Sequence, residues 1–496
     1  MIELPIIRHL SIRVTKSVVA VALVSVLLPS CAVGPDYSEP ALEVPEHFSS
    51  ELGGGLVSGA IELREWWRTL GDSTLDSLIQ RALQNNLDLE ESLSRIQEAR
   101  ARRGVARTDL LPRFDATGDY QRNQLSKETA LGPVSPRSSS EFFAGVEASW
   151  ELDIWGRNRR LVESATADVQ ASVEEARAVL ILVLAETALS YVELRSLQER
   201  LRIARSNVDL QQQTVELTES KFAANLVSKL DVAQARSSHA RAQSTVPTLE
   251  AAAQAVRNRL SVLLGLYPGE LEAELSNVVP IPVPPASIAV GVPANIVRQR
   301  PDIRRAERQL AAQTARIGVA RGDLYPRLTL SGTLGFGAEN ASDLFSGDAS
   351  LFGLGPSVVW NLFDRGRIHS NISAEEARAT TALLDYRRTV LLAVEEIENA
   401  MASFSKEQIS RDSLVVAVEE ARDAVRLSRD QYRLGLVSFQ SVIDTQTQLF
   451  VLEDRLAAKE ALITTELIVL FTALGGGWES RDVTLEPAES TDRERP

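Results

Sequence analysis

The chain contains an internal repeat, in which short motifs of its first half return about 210 residues later. Gly-Val-Ala-Arg at residues 104–107 returns at 318–321, and Leu-Val-Ser at 226–228 returns at 436–438. A repeat of this length indicates that each half of the chain builds one structural unit of the same plan. Each half also changes its hydrophobic period, from short alternating segments to very long helical stretches. The sequence therefore predicts two matching halves, each made of strands followed by long helices.

The short segments alternate apolar and polar residues, as strands do when their two faces meet different environments. They comprise residues 114–121, 142–152, 328–336 and 352–362. Each has about ten residues, the length of a membrane-spanning strand. Trp150 and Trp360 lie near segment ends, where interfacial aromatic residues sit. A soluble β-sandwich would produce the same alternation, so this pattern alone leaves both interpretations open.

Two stretches of helical pattern are longer than a soluble domain requires. Residues 158–224 and 365–434 are predicted to be continuous helices, and at about 1.5 Å per residue each extends roughly 100 Å. Apolar residues of the first stretch fall mostly seven apart, as in coiled coils: Leu182, Leu189, Leu197, Leu201, Val208, Val215 and Phe222. Such helices suit a tube that crosses the periplasm. They also suit an elongated coiled-coil scaffold, which stays open as an alternative.

The N-terminus is predicted to be a bacterial lipoprotein signal peptide. Three basic residues precede an apolar core at residues 17–28. Cys31, the only cysteine of the chain, follows this core directly, although Pro29 is atypical of such a signal. A lone cysteine cannot form an internal disulfide. We predict that Cys31 carries a lipid; an ordinary secretory signal with an incidental cysteine is the alternative.

Four strands per chain cannot close a barrel alone. An open sheet edge is not tolerated in lipid, and the smallest single-chain barrels have about eight strands. Two chains would leave too narrow a passage, whereas three give about twelve strands in a cyclic assembly. We therefore predict an α+β membrane protein with an internal two-fold structural repeat. Four strands per chain contribute to a trimeric outer membrane β-barrel, and a long periplasmic α-helical barrel continues it.

The same patterns divide the chain into six segments. They are the signal peptide (1–30), an extended lead with lipidated Cys31 (31–71), the first repeat (72–264), a Pro-rich linker (265–293), the second repeat (294–477) and a disordered tail (478–496). Each repeat is predicted to hold a helix, two barrel strands and a long helical hairpin. A single helix is predicted over 72–109, and Pro247 is expected to kink the first hairpin.

Several function classes are disfavoured. The formal net charge of −14 argues against a nucleic-acid partner, which would require a basic face. Beyond the signal, His47, His239 and His369 are too scattered for metal ligation, and no phosphate-binding or nucleophile motif is present. We predict no enzyme, no metal site and no cofactor besides the covalent lipid on Cys31.

Five motifs together resemble a known family. They lie at residues 31–37 (followed by Pro40), 111–113, 150–157, 300–304 and 432–438. In their order and spacing they resemble the TolC-like outer membrane efflux proteins, specifically the OprM-like lipoprotein branch. The resemblance covers residues 31–477, which is essentially the whole mature chain.

The resemblance implies a homotrimer with a twelve-stranded barrel and a twelve-helix periplasmic tunnel. It further implies a Gram-negative outer membrane location with contact to its lipid, a periplasmic adaptor protein and an inner membrane pump, usually of the resistance-nodulation-division class. Such a conduit is passive. Its substrates are delivered by the pump, and the lipoprotein-like start favours a drug or solvent exporter over the alternative of a type I protein secretion conduit.

The resemblance also assigns a periplasmic gate. Asp444 matches the second of two family aspartates that ring the closed end, while Ser441 replaces the first. Asp231 occupies the corresponding place in the first half and is expected to accept a hydrogen bond from Tyr432. Val437 replaces the family's arginine partner, so Arg433 is a candidate substitute. A solvated aspartate on a helix face is the alternative for Asp444.

The family's adaptor-contacting tips match the repeated tripeptide of this chain. The tip residues are Leu226, Val227, Ser228, Leu436, Val437 and Ser438. A plain turn whose serine caps the next helix is compatible with the same residues.

Overall fold

A computed structural model describes residues 32–481 apart from 42–44, 46, 50–52, 60–61, 127, 129–137, 286 and 292–296. The predicted signal peptide, Cys31 and residues 482–496 lie outside this description. The chain divides into two compact units. The first takes residues up to Pro40 with 97–171 and 306–385, and the second takes the remainder.

The first unit contains one antiparallel sheet of four strands. They are β2 (Arg113–Gln124), β3 (Ser138–Leu152), β5 (Arg327–Ala338) and β6 (Ser350–Val359), paired in the order β2-β3-β5-β6. The four predicted alternating segments are therefore strands. The last one ends earlier than predicted, because ladder pairing stops at Val359 and leaves Trp360 outside the strand.

The register separates the two faces of this sheet. Val146 pairs with Ala116 on one side and Leu334 on the other, so apolar side chains share one face. Glu147 pairs with Asp115 and Thr333, so polar side chains share the opposite face. This arrangement follows from the two-residue side-chain period of a strand, and it matches the pattern of a membrane strand with an aqueous side.

Equivalent tryptophans join the strands to the preceding helices in both repeats. The Trp150 indole N–H donates to the carbonyl oxygen of Leu110 at 3.0 Å, and that of Trp360 donates to Leu324 at 3.0 Å. These carbonyls follow α2 (Leu87–Thr108) and α6 (Pro301–Gly322), respectively. The internal repeat is thus visible in individual hydrogen bonds.

The predicted long helices are confirmed. α3 spans Arg157–Ala223 with 67 residues and α7 spans Arg365–Arg433 with 69 residues. Short turns connect them to α4 (Lys229–Leu263) and α8 (Phe439–Ala473), so each repeat ends in a helical hairpin. Pro247 lies inside α4, and the helix continues across it. Within the described part of the chain, no helix is long and apolar enough to cross a membrane.

The predicted helix over 72–109 is wrong in one respect, because it is broken at Asn86. α1 covers Ser73–Asn85, and α2 begins at Leu87. The Asn86 side chain accepts from the Leu89 N–H at 3.1 Å and donates to the Leu263 carbonyl at 2.9 Å. It therefore caps α2 while it is held by α4, and an asparagine in this role ends one helix and starts another.

The Pro-rich linker contains regular structure that the sequence did not predict. α5 covers Glu272–Leu275, and β4 (Ile288–Val290) pairs in parallel with β1 (Leu56–Ser58). The start of the predicted disordered tail is also ordered, because the Trp478 ring contacts the guanidinium of Arg177 at 4.7 Å.

The second unit contains the main hydrophobic core. Trp66 stacks on Phe471 with ring centroids 5.4 Å apart, and both are buried. Arg300 precedes α6, whose first residue is the proline Pro301, a position that suits proline because the first N–H groups of a helix have no partner within it. Its guanidinium donates to the Ala473 carbonyl at 2.5 Å and to Glu396 at 2.8 Å. The Arg-Pro-Asp motif thus holds the C-terminus of α8.

Candidate functional site

The two hairpin turns contain most of the residues predicted to form the gate and the adaptor contact. In the first turn Asn225 has φ 60°, and in the second Gly435 has φ 77°. Both values are left-handed, which glycine adopts freely and asparagine tolerates. The Leu226 N–H bonds to the Lys221 carbonyl, and the Leu436 N–H bonds to the Gln431 carbonyl, both at 2.9 Å. Equivalent helix-ending turns thus close α3 and α7.

The starts of the two following helices differ. Ser228 and Asp231 form a reciprocal capping box on α4, with the Ser228 N–H donating to the Asp231 carboxylate at 2.9 Å. In the second repeat Ser441 occupies the place of Asp231, and Ser438 makes no side-chain cap. The two hydroxyls of Ser438 and Ser441 lie 3.2 Å apart. The α8 helix therefore begins without the carboxylate that stabilises α4.

The tip residues divide by the direction of their side chains. Leu226 and Leu436 are 71% and 70% exposed. Val227 and Val437 instead pack against a small buried cluster that includes Tyr432. The leucines are thus the apolar groups available for a partner, while the valines face a buried cluster to which both hairpins contribute.

The predicted hydrogen bond from Tyr432 to Asp231 is absent. Tyr432 is 4% exposed, and among the described residues its hydroxyl has no hydrogen-bond partner. The Asp231 carboxylate is occupied by the backbone and hydroxyl of Ser228. Burial raises the pKa of Tyr432, the proximity of the Thr218 hydroxyl partly offsets this rise, and the nearby charge of Asp231 adds to it.

The other two predicted gate residues make local contacts. Arg433 pairs with Asp430 at 3.5 Å on the same helix, not with Asp231. Asp444 is exposed and accepts from the Gln440 amide at 2.7 Å. Within one chain, therefore, the predicted gate residues do not form a single charged cluster.

The structure adds Lys221 to this site. Its ammonium donates to the carbonyl oxygen of Tyr432 at 2.5 Å and to that of Arg433 at 3.3 Å. It also lies 4.5 Å from the centroid of the Tyr432 ring. The sequence offers a basic residue in the last turn of α3, but nothing in the pattern indicates its partner on the other hairpin.

A second predicted site, the lipid anchor, is represented by the residues that follow Cys31. The Val33 N–H donates to the Trp155 carbonyl at 2.9 Å, just after β3 ends. The Arg160 guanidinium donates to the Asp36 carboxylate at 2.6 Å. At Gly34 the backbone crosses Gly318 so closely that an added Cβ would lie 2.4 Å from the Gly318 Cα. The lead therefore docks at the junction between β3 and α3.

Comparison with known proteins identifies this arrangement. The profile of the family "Outer membrane efflux protein" matches residues 78–266 and 292–476, one match for each repeat. Nodulation protein T of Rhizobium leguminosarum bv. trifolii is 32% identical over 461 residues, covering 92% of this chain and 96% of that protein. The pyoverdine export outer membrane protein OpmQ of Pseudomonas aeruginosa is 31% identical over 458 residues, covering 92% of this chain and 95% of that protein.

A solved structure is similar throughout. The outer membrane channel OprN superposes with a TM-score of 0.84 at 33% identity, covering 90% of this chain and all of that chain. These likenesses favour the channel over a coiled-coil scaffold, and they span long helices and strands alike. The chain therefore belongs to the outer membrane efflux protein family and is a non-enzymatic outer membrane channel of an efflux system, with a TolC-like fold that extends into the periplasm.

Proposed function

We propose that three copies of this chain close one channel. The observation that carries this proposal is the four-stranded sheet, whose outer strands β2 and β6 each pair on one side only within the described residues. Its apolar face matches the lipid-facing side of a barrel, and unpaired edges are not stable in lipid. Three such sheets, each joining β6 to the β2 of its neighbour, satisfy every edge and leave the polar faces around water.

We infer that the hairpin tips meet a periplasmic adaptor, which connects the channel to an inner membrane pump. Leu226 and Leu436 support this, because two largely exposed leucines at equivalent turns offer a repeated apolar contact. Leu230 and Leu434 lie next to them and are also exposed. Small molecules are the proposed cargo, since OpmQ, which is similar over nearly its whole length, is described as a pyoverdine exporter.

The proposed gate is a ring of three Asp444 side chains at the periplasmic end. Three carboxylates around a narrow pore repel one another and concentrate cations. Asp444 suits this role because its side chain is exposed and has no basic partner among the described residues. Asp231, Tyr432 and Arg433 act in this proposal by holding the tips, not by lining the ring.

The proposed membrane attachment is a lipid on Cys31. Val33, two residues further on, is bonded to Trp155 at the end of β3. A lipid on Cys31 would therefore start close to the point where the chain leaves the membrane sheet. Acyl chains attached next to the end of β3 would enter the surrounding lipid leaflet directly.

Planar bilayer recordings test the gate. Reconstituted Asp444→Asn trimers are expected to show altered conductance and weaker block by multivalent cations, because three charges leave the ring. Asp209→Asn removes an exposed charge elsewhere on α3 and serves as the control. If Asp444→Asn behaves like the parent protein, Asp444 does not form the gate.

A further inference from the structure

We propose that Lys221 is a positioning residue of the channel, which holds the second hairpin tip against the first within each subunit and so restrains opening. The second tip comprises residues 432–441, between the end of α7 and the first turn of α8. This inference rests on the proposed gate, because the same hairpin carries Asp444.

The first argument is the chemistry of the contact. The last carbonyl groups of a helix have no partner within the helix and carry partial negative charge. Lys221 reaches from α3 to two such groups, the carbonyls of Tyr432 and Arg433, at 2.5 and 3.3 Å. The face of the Tyr432 ring completes the site at 4.5 Å, and an aromatic face attracts a cation. One ammonium group thus caps α7 from the neighbouring hairpin.

The second argument is the position of this contact at the end of the hairpins. Further along the helices, a buried hydrogen bond joins Gln446 to Thr214 at 2.9 Å, and apolar packing joins Val215 to the Tyr432 cluster. Lys221 lies in the last turn of α3, beyond these contacts. A polar contact from Arg429 to Gln213, at 3.1 Å, also lies further along the helices. Among the described residues, Lys221 therefore makes the polar contact between the hairpins that is nearest to the turn that would have to move when the tips separate.

The third argument comes from comparing the two repeats. The position equivalent to Lys221 in the second repeat is Gln431, which is exposed and carries no charge to return the contact. The first tip is also reinforced by the Ser228–Asp231 capping box, which the second tip lacks. The second tip is therefore the less constrained of the two, and it depends on a tie supplied by the first.

Two measurements on the full-length protein in detergent and in bilayers test this proposal. Lys221→Met removes the charge and the donors while keeping an unbranched side chain, and Lys221→Arg keeps a cation. Lys229→Met is the matched control, because Lys229 is exposed on the neighbouring turn of the first tip. Hydrogen exchange reports the tie directly, and single-channel recording reports its effect on opening.

In Lys221→Met we expect the amides of residues 434–438 to exchange about tenfold faster, since local opening of the tip loses its restraint. Residues 224–228 should exchange at the parental rate, and open events in bilayers should become several-fold more frequent. Lys221→Arg should restore both readouts, and Lys229→Met should leave both unchanged. An intact trimer with a parental melting temperature separates this effect from a general loss of stability.

A parental exchange rate at residues 434–438 in Lys221→Met would overturn the proposal. Equally fast exchange at these residues in Lys221→Met and in Lys229→Met would overturn it as well. Faster exchange with unchanged opening, in a channel that does respond to Asp444→Asn, would also overturn it. If neither substitution alters conduction, the gate itself is misplaced, while the exchange result still decides whether Lys221 ties the tips.

Discussion

The Tyr191 hydroxyl donates a hydrogen bond of 2.6 Å to one carboxylate oxygen of Asp72. The other oxygen of the same carboxylate accepts from the backbone N–H groups of Thr74 and Leu75 at 2.8 and 3.1 Å. Asp72 is therefore both the N-cap of α1 and a hydrogen-bond acceptor for a residue of α3, the helix with which α1 shares the hydrophobic core. A single carboxylate orders the start of the first repeat against its long helix.

Replacing Tyr191 by phenylalanine removes this hydrogen bond and keeps the ring. Because the lost bond is made to a charged acceptor, we expect the free energy of unfolding to fall by about 1–3 kcal/mol. Thermal unfolding in detergent measures the change. Tyr267→Phe is the control, since Tyr267 is 83% exposed, and it should melt with the parent protein. Equal melting of all three proteins would show that the bond contributes nothing to stability.

The Tyr191 hydroxyl is predicted to lose its proton at a higher pH than an ordinary tyrosine. Burial raises its pKa to about 12 from the ordinary 10.0, and the hydrogen bond to Asp72 acts in the same direction. The folded pKa lies above the unfolded one, so the associated stability is fully present below pH 10 and is lost as pH rises towards 12. The late component of an ultraviolet titration of tyrosinate should shrink by one tyrosine in Tyr191→Phe, while Tyr432, whose pKa is also raised, still contributes to it. A titration curve with an undiminished late component would contradict this assignment.

The sequence predicted the long helices well because their signal is long. The ends of α3 and α7 fall within about one residue of the predicted positions, since Gly and Asn turns interrupt an otherwise continuous period. The faces of the strands could be predicted equally well, because a two-residue alternation determines on which face of the sheet each side chain lies.

Structural features that depend on a contact with a residue far away in the sequence could not be predicted. The break at Asn86 depends on a bond to Leu263, and β4 finds β1 more than 200 residues away. Each involves too few residues to leave a periodic pattern. The gate was predicted by resemblance, and the Tyr432–Asp231 bond failed because Asp231 is already engaged in its own capping box. The role of Lys221 cannot be predicted from the sequence, because its acceptors are backbone carbonyls, which leave no pattern in the side chains.

Equivalent glycines of the two repeats allow a controlled test of how the N-terminal lead docks. Gly318 meets the Val33 carbonyl so closely that an added Cβ would lie 2.9 Å from it, whereas its repeat partner Gly104 has open space around it. Gly318→Ala should therefore release the lead and expose it to limited proteolysis. Gly104→Ala should leave the lead protected and slightly stabilise α2, by up to about 1 kcal/mol. Equal protection in both variants would contradict the tight crossing of the lead over α6.

The missing cap of the second tip can be restored. Ser441→Asp places a carboxylate three residues after Ser438, and the resulting capping box should stabilise the start of α8 by about 1 kcal/mol. Asp231→Ser makes the reverse change in the first tip. Hydrogen exchange should slow at the first turn of α8 in one variant and quicken at the first turn of α4 in the other. The same direction of change in both would refute the proposed difference between the tips.

The shared barrel is tested most directly by the mass of the detergent-solubilised particle, measured by native mass spectrometry. A sheet with two open edges and one apolar face predicts that every particle contains three chains, and that none survives as a monomer once detergent is removed. A stable, water-soluble single chain would contradict the account, because the edges of β2 and β6 would then need no neighbours.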